Sequence, residues 1–302
     1  MKQNSDTKTL ILITGPTAVG KTQTSIEIAR LLQTQIVSAD ARQFYRETRI
    51  GTAAPTQEEL SQVNHHLVGH LSIHDPYNVS IFEQQALRAL ESIFSTQNFA
   101  VLTGGSGLYI DTLLDGIDWM PDIPHSIRQS VKEMHLQKGV EGLQNFLREY
   151  DPEYFKQVDI HNPNRMMRGI EVFLATGKKY SSLRTTQKTP RSFRVKRIII
   201  NRPRQELHQR IHLRTRAMVQ QGIIEEAIQL FPYRHLNALN TVGYKELFDW
   251  MAHTWDLHTA IQKIETHTRR YAKRQITWFK RYEDAKWFLP TEVNAILRYI
   301  NS

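Results

Sequence analysis

The run Ile13–Ser25, ITGPTAVGKTQTS, contains the spacing Gly-x-x-x-x-Gly-Lys-[Ser/Thr]. That spacing calls for a strand, a tight loop and a helix in fixed order. Gly15 and Gly20 permit turns that other residues resist, so the N–H groups that follow Pro16 (Thr17, Ala18, Val19 and Gly20) converge on one anion. Lys21 adds a point charge and the Thr22 hydroxyl suits magnesium. The helix beginning near Lys21 aims its positive N-terminus at the same place. The flanks agree. TKTLILITG is an apolar run ending at glycine and predicts a buried parallel strand, while Ile26, Ala29 and Leu32 stand near helical spacing. The loop alone leaves open whose phosphates it holds. A kinase, a motor ATPase and an enzyme that discards a diphosphate all use it.

The alternation continues. TQIVSAD reads as a strand ending at Asp40, and NFAVLTGG as a third strand. Between them NVSIFEQQALRALESIF reads as an amphipathic helix, with Ser80 and Glu83 as a capping box and Phe82, Ala86, Leu90 and Ile93 on one face. The fold class is therefore α/β: a P-loop NTPase-like core with a parallel sheet flanked by helices. After Gly116 the pattern becomes helical and polar, broken at Pro121, Pro124, Pro152, Pro163 and Pro190. VKRIIIN returns as a strand that rejoins the sheet, a series of helices runs from Pro203 to about Tyr282, and AKWFLP reads as a final edge strand before a short helix. The domains expected are a catalytic core of residues 1–115 and 195–302, interrupted by a mainly helical insertion domain of residues 116–194.

Hydrophobic residues make up 40% of the chain and charged ones 23%, enough to pack a core. No run approaches the roughly eighteen apolar residues of a membrane span, and MKQNSDTKTL has no apolar signal region. No cysteine is present, which excludes disulfides, thiolate zinc sites and a cysteine nucleophile. The expectation is a cytoplasmic protein without a membrane partner. The net charge is +9, yet residues 1–100 hold 8 Lys+Arg against 9 Asp+Glu. The excess lies later in the chain, where it is either a polyanion-binding surface or a solvated one. An NTP hydrolase also presents an acid at the end of another apolar strand. FAVLTGGSG offers none; QIVSAD offers Asp40, which fits a magnesium manager, a general base or a helix N-cap.

Further motifs align in order along nearly the whole chain: GPTAVGKT (15–22), SADARQFY (38–45), RIGTAAP (49–55), HHLVGH (65–70), GGSGLY (104–109), NPNRMMRGIEVFLATG (162–177), NTVGYKE (240–246) and TRRYAKRQITWFKR (268–281). Together they resemble the tRNA dimethylallyltransferases, or tRNA isopentenyltransferases. The resemblance departs at Ala41, where the family usually has serine, at Ala54 (lysine), at Ser106 (threonine) and at HHLVGH (HHLID). It implies transfer of the five-carbon group of dimethylallyl diphosphate to the exocyclic amine of the adenosine beside the anticodon, with diphosphate leaving. It implies magnesium on Thr22, diphosphate on residues 15–22, and catalysis by Asp40, Lys21 and Thr22. It also implies a monomer that binds the anticodon stem-loop through Asp40, Ala41, Arg42, Gln43, Ser106, Arg128, Arg165, Arg168, Gly243, Lys245, Lys273, Arg274, Gln275 and Trp278.

The chemistry of these residue types fits. Lys21 and magnesium neutralise a diphosphate leaving group. An aromatic amine is a weak nucleophile, and a carboxylate beside it takes its proton as the bond forms, a role open to Asp40. The target base must be turned out of its stack, and Arg42 and Gln43 are suited to its edges. As a helix, TRRYAKRQITWFKRY aligns Arg270, Lys273, Arg274, Thr277 and Arg281 beside an apolar stripe of Ala272, Ile276 and Phe279, one side for the core and one for phosphates. A second basic zone, Arg184–Arg216, is suited to clamping RNA. Arg165, Arg168 and Glu171 stand at helical spacing, so RNA contact competes with a surface ion pair. His65, His66, His70 and His74 have only Asp75 to complete a metal site, and Met166 and Met167 read as packing residues. The competing readings are a small-metabolite kinase, a non-catalytic RNA-binding P-loop protein, and a transferase acting on free AMP or ADP.

Overall fold

The computed structural model describes residues 8–118, 120–185 and 187–302. The N-terminal stretch read as lacking a signal region lies largely outside them. Residues up to Leu114 and from Pro190 onward form one compact unit, and Asp115–Thr189 a second.

The first unit is built on a parallel sheet of strands β1 (Thr9–Thr14), β2 (Ile36–Ser38), β3 (His65–His66), β4 (Phe99–Gly104), β5 (Arg194–Ile200) and β6 (Lys286–Phe288). Their spatial order is β3-β2-β4-β1-β5-β6. Alternate side chains leave a strand on opposite faces. Leu10, Leu12, Ala100, Leu102 and Ile199 enter one buried cluster, and Ile11, Ile13, Val101, Ile198 and Ile200 another. Both faces are covered, which is why these strands read as unbroken apolar runs. Helices α1 (Lys21–Leu31), α2 (Gln57–Gln62), α3 (Val79–Thr96) and α4 (Gly107–Asp115) belong to the first half of the chain.

The second unit consists of α5 (His125–Tyr150), α6 (Pro152–Gln157), α7 (Pro163–Thr176) and α8 (Tyr180–Leu183). It has its own core of Val131, Leu143, Leu147, Tyr154, Met166 and Ile170. Pro152 and Pro163 do not break helices here; each opens one, where its missing N–H costs nothing. Helices α9 (Arg204–Gln220), α10 (Ile223–Leu230), α11 (Tyr244–Met251), α12 (Leu257–Phe279) and α13 (Val293–Asn301) complete the first unit. No helix among the described residues is long and apolar enough to cross a membrane.

Three sequence expectations are corrected. Helix α3 is capped by Asn78, whose side chain accepts from the Ser80 and Ile81 N–H groups. Ser80 is therefore inside the helix, and Glu83 pairs with Arg191 instead of closing a capping box. The strand NFAVLTGG is the fourth in the chain, because His65–His66 forms a two-residue edge strand on β2. Arg281 falls beyond the end of α12; it pairs with Asp111 at 2.9 Å and stacks over Trp278.

Candidate active site

The phosphate loop leaves β1 at Gly15, whose φ is +148° and whose missing Cβ would lie 2.2 Å from the Ile200 carbonyl oxygen on β5. Only glycine fits that turn. Gly20, also in the left-handed region, caps α1 so that the helix starts at Lys21. The Lys21 ammonium donates to the Gly15 and Pro16 carbonyls at 3.0 and 2.9 Å. Ala18 stands at φ +64°, an uncommon value for a residue with a Cβ. Arginines hold this part of the loop: Arg210 Nε donates to the Ala18 carbonyl at 2.8 Å and Arg202 Nε to that of Val19 at 2.9 Å.

Asp40 follows β2 and opens a turn. Its Oδ1 accepts the Arg42 N–H at 3.1 Å and its carbonyl the Gln43 N–H at 3.0 Å. No helix follows, so the N-cap reading falls away. The Arg42 guanidinium donates to the Asn237 and Ala238 carbonyls, and Gln43 Nε2 to those of Thr52 and Ala53. The turn after β4 locks onto this segment. The Ala41 N–H donates to Ser106 Oγ at 2.9 Å and the Ser106 N–H to the Ala39 carbonyl at 3.3 Å. The Ser106 hydroxyl also meets the phenol of Tyr271 on α12.

These segments surround a cavity of about 1200 Å³. Lys21, Thr22, Asp40, Arg210, Arg214 and Tyr271 all line it. Burial lowers the Lys21 ammonium to about 8, with the Asp40 charge opposing that shift and the Arg214 charge adding to it. Burial also lowers Arg214, again against Asp40, and raises the Tyr271 phenol to about 12. One carboxylate thus faces two cations in a poorly solvated space. Gln275 ties α12 into the site: its Oε1 accepts the Thr17 N–H at 2.8 Å and its Nε2 donates to the Gly105 carbonyl at 2.9 Å.

Of the residues singled out by sequence, Thr17, Ala18, Gly20, Lys21, Thr22, Asp40, Ala41, Arg42, Gln43, Ser106, Lys245, Arg274, Gln275 and Trp278 line the cavity. Gly15, Pro16 and Val19 shape the loop behind it. Gly243 caps α11 and donates to Glu246 at 2.7 Å, and Lys273 is exposed on α12. Arg128, Arg165 and Arg168 belong to the second unit, where Arg168 pairs with Glu171 at 3.7 Å. The histidine-rich stretch builds no metal site: among the described residues no group of three or more His, Asp or Glu could hold an ion. Burial lowers His65, His66 and His70 and favours their neutral forms. Sequence reasoning placed Arg202, Arg210 and Arg214 in a zone suited to clamping RNA, and the structure brings them to the phosphate loop and cavity. The i, i+4 spacing of Arg210 and Arg214 on α9 is the signal that they share a face.

The IPP transferase family model matches residues 43–282. Over 292 residues the chain is 44% identical to tRNA dimethylallyltransferase 1 of Bacteroides thetaiotaomicron, covering 97% of this chain and 95% of that one. It is 45% identical over 294 residues to tRNA dimethylallyltransferase 1 of Phocaeicola vulgatus, covering 97% and 98%. The crystal structure of the full-length tRNA isopentenylpyrophosphate transferase of Bacillus halodurans superposes with a TM-score of 0.71 at 30% identity, covering 97% of this chain and 96% of that one. A eukaryotic dimethylallyltransferase acting on tRNA shares the fold, with a TM-score of 0.80 at 24% identity over 97% and 78% of the two chains.

Proposed function

The chain belongs to the IPP transferase family of tRNA dimethylallyltransferases, and on that premise we propose that it transfers a dimethylallyl group from dimethylallyl diphosphate to tRNA. The acceptor is the exocyclic amine of the adenosine adjacent to the anticodon, and diphosphate is released. The observation that carries the mechanism is Asp40 facing Lys21 and Arg214 across one cavity. The phosphate loop N–H groups, Lys21 and Arg214 hold the diphosphate and neutralise the charge that grows on it as the allylic C–O bond breaks. The amine nitrogen attacks the same carbon and becomes cationic, and Asp40 takes its proton. Bond made, bond broken and proton are accounted for within the cavity.

The donor set fits magnesium. The Thr22 hydroxyl is a hard oxygen ligand lining the same cavity as Lys21, and it leaves the Asp40 carboxylate for the proton. Magnesium characteristically takes one or two protein oxygens and completes its shell with phosphate and water. When bound, it supplies further charge neutralisation to the diphosphate. Arg42, Gln43, Lys245, Arg274 and Trp278, all on the cavity wall, are placed to receive the unstacked base and its neighbouring phosphates. We further propose a cytoplasmic enzyme that acts on the anticodon stem-loop as a monomer.

The test is transfer of labelled dimethylallyl diphosphate to tRNA, to AMP and to neither with ATP as competing ligand. Label on tRNA is the expected result. Label on AMP alone would contradict the proposed acceptor, and no transfer at all would contradict the reaction.

A further inference from the structure

The segment Arg49–Pro55 forms one wall of the cavity, and it is fixed from outside by a carboxylate that does not itself line the cavity. Glu226 on α10 accepts two consecutive backbone N–H groups, Ile50 at 2.9 Å on Oε2 and Gly51 at 2.8 Å on Oε1. Its Oε1 also accepts the Tyr244 hydroxyl at 2.5 Å. Tyr244 is fully buried, and its ring fills the space beside Gly51: a Cβ there would lie 2.4 Å from Cζ. Any side chain at 51 would push the segment off the phenol and away from Glu226.

What this clasp holds is the next residue. The Thr52 carbonyl accepts from Arg214 Nη2 at 3.2 Å and from Gln43 Nε2 at 3.3 Å. Arg214 is one of the cations on the diphosphate side, and Gln43 closes the turn that Asp40 opens. Thr52 is thus the junction between the leaving-group side and the base side, and its position is set one residue away by Glu226. A bidentate carboxylate on adjacent N–H groups fixes both the distance and the orientation of that backbone.

We propose that Glu226 is a positioning residue for the transfer reaction: it clasps Ile50 and Gly51 so that the Thr52 carbonyl orients Arg214 toward the diphosphate. The proposal rests on reading the cavity as a diphosphate site, and it assigns Glu226 no contact with substrate.

Glu226→Gln keeps the shape but turns an amide N–H₂ toward a backbone donor, so at least one of the three bonds is lost. The full-length protein is titrated with inorganic diphosphate and magnesium, and steady-state kinetics are run with dimethylallyl diphosphate. About a tenfold weaker Kd for diphosphate is expected, the scale of one lost charged hydrogen bond, with a matching rise in KM. The same change placed on an Arg214→Gln background is expected to have no further effect, because the residues act through one path. A variant that is only destabilised would lower the active fraction, and so apparent kcat, while leaving Kd and KM where they were. Additive effects of the two substitutions, or an unchanged Kd in folded Glu226→Gln, would overturn the proposal. Should Glu226→Gln not fold, Tyr244→Phe, which removes one of the three donors, goes through the same cycle, and additivity there counts equally against it. Failure of label to reach tRNA with the unaltered protein would instead fault the functional reading, since the diphosphate titration does not depend on transfer.

Discussion

Asp40 and Lys21 share a cavity but respond differently to pH and to substitution. Burial lowers the Lys21 ammonium to about 8. It is charged below that pH and neutral above it, so affinity for diphosphate is full near neutrality and falls as pH rises through about 8. Bound diphosphate favours the charged form, so binding above that pH takes up a proton. Titration of inorganic diphosphate from pH 7 to 9.5 in buffers of different ionisation enthalpy reads both effects; a flat affinity with no proton uptake would contradict them. For Asp40 the expectation is a loss of ~100-fold or more in kcat on Asp40→Ala, the lower range for a general base. Single-turnover transfer to tRNA checks it, and near-normal turnover would remove Asp40 from that role. Both residues were legible because each sits in a short motif that ends a strand. Arg214 was legible only as one basic residue among several, since its partner Thr52 is 162 positions away and no local spacing announces such a bond.

At the scale of elements, α12 is the part whose sequence pattern was clearest and whose role was least complete. Ala272 and Phe279 are buried as their spacing required, but so is Gln275, which periodicity alone would assign to a polar face. It is buried because both ends of its amide are used, one by the phosphate loop at Thr17 and one by Gly105. Gln275→Ala would leave a donor and an acceptor unpaired, at a cost of about 1–3 kcal/mol for each group that stays buried. Chemical denaturation is expected to show that loss together with a higher KM for dimethylallyl diphosphate, because the Thr17 N–H belongs to the phosphate loop. Gln275→Glu keeps the acceptor for Thr17 but loses the donor to Gly105 and brings a negative charge to the phosphate loop, so it should bind diphosphate more weakly than the alanine variant; tighter binding would show that the Thr17 bond outweighs the repulsion. The main strands were readable because burial on both faces makes their runs uniformly apolar. The two residues of β3 are too few to carry a period, and the start of α3 shifted because Asn78 caps better placed N–H groups than Ser80 does.

The charge of the whole molecule is divided unevenly along the chain. Residues 115–189, the second unit, carry 11 Lys+Arg and 10 Asp+Glu, whereas residues 190–302 carry 20 and 10. The sequence located the excess in the later two-thirds of the chain; only the boundaries of the units show that it belongs to the first unit and not to the insertion. A protein that neutralises phosphates releases their counterions, so log affinity for tRNA falls linearly with log salt, with a slope set by the number of phosphates contacted. If the net positive surface makes most of those contacts, single substitutions at Arg270 and Lys273, both exposed on α12, should each reduce the slope by about 1 while weakening binding alike across tRNA sequences. Arg165 and Arg168 of the insertion give the contrasting case. Arg168 is already paired with Glu171, so its removal uncovers a carboxylate as well as deleting a cation, and its effect on affinity should exceed its effect on slope. Filter binding at 50–300 mM salt with the four variants measures both quantities. A slope that drops only for the insertion variants would place the phosphate contacts on the nearly neutral unit and would contradict the expectation that the excess positive charge of residues 190–302 makes most of them.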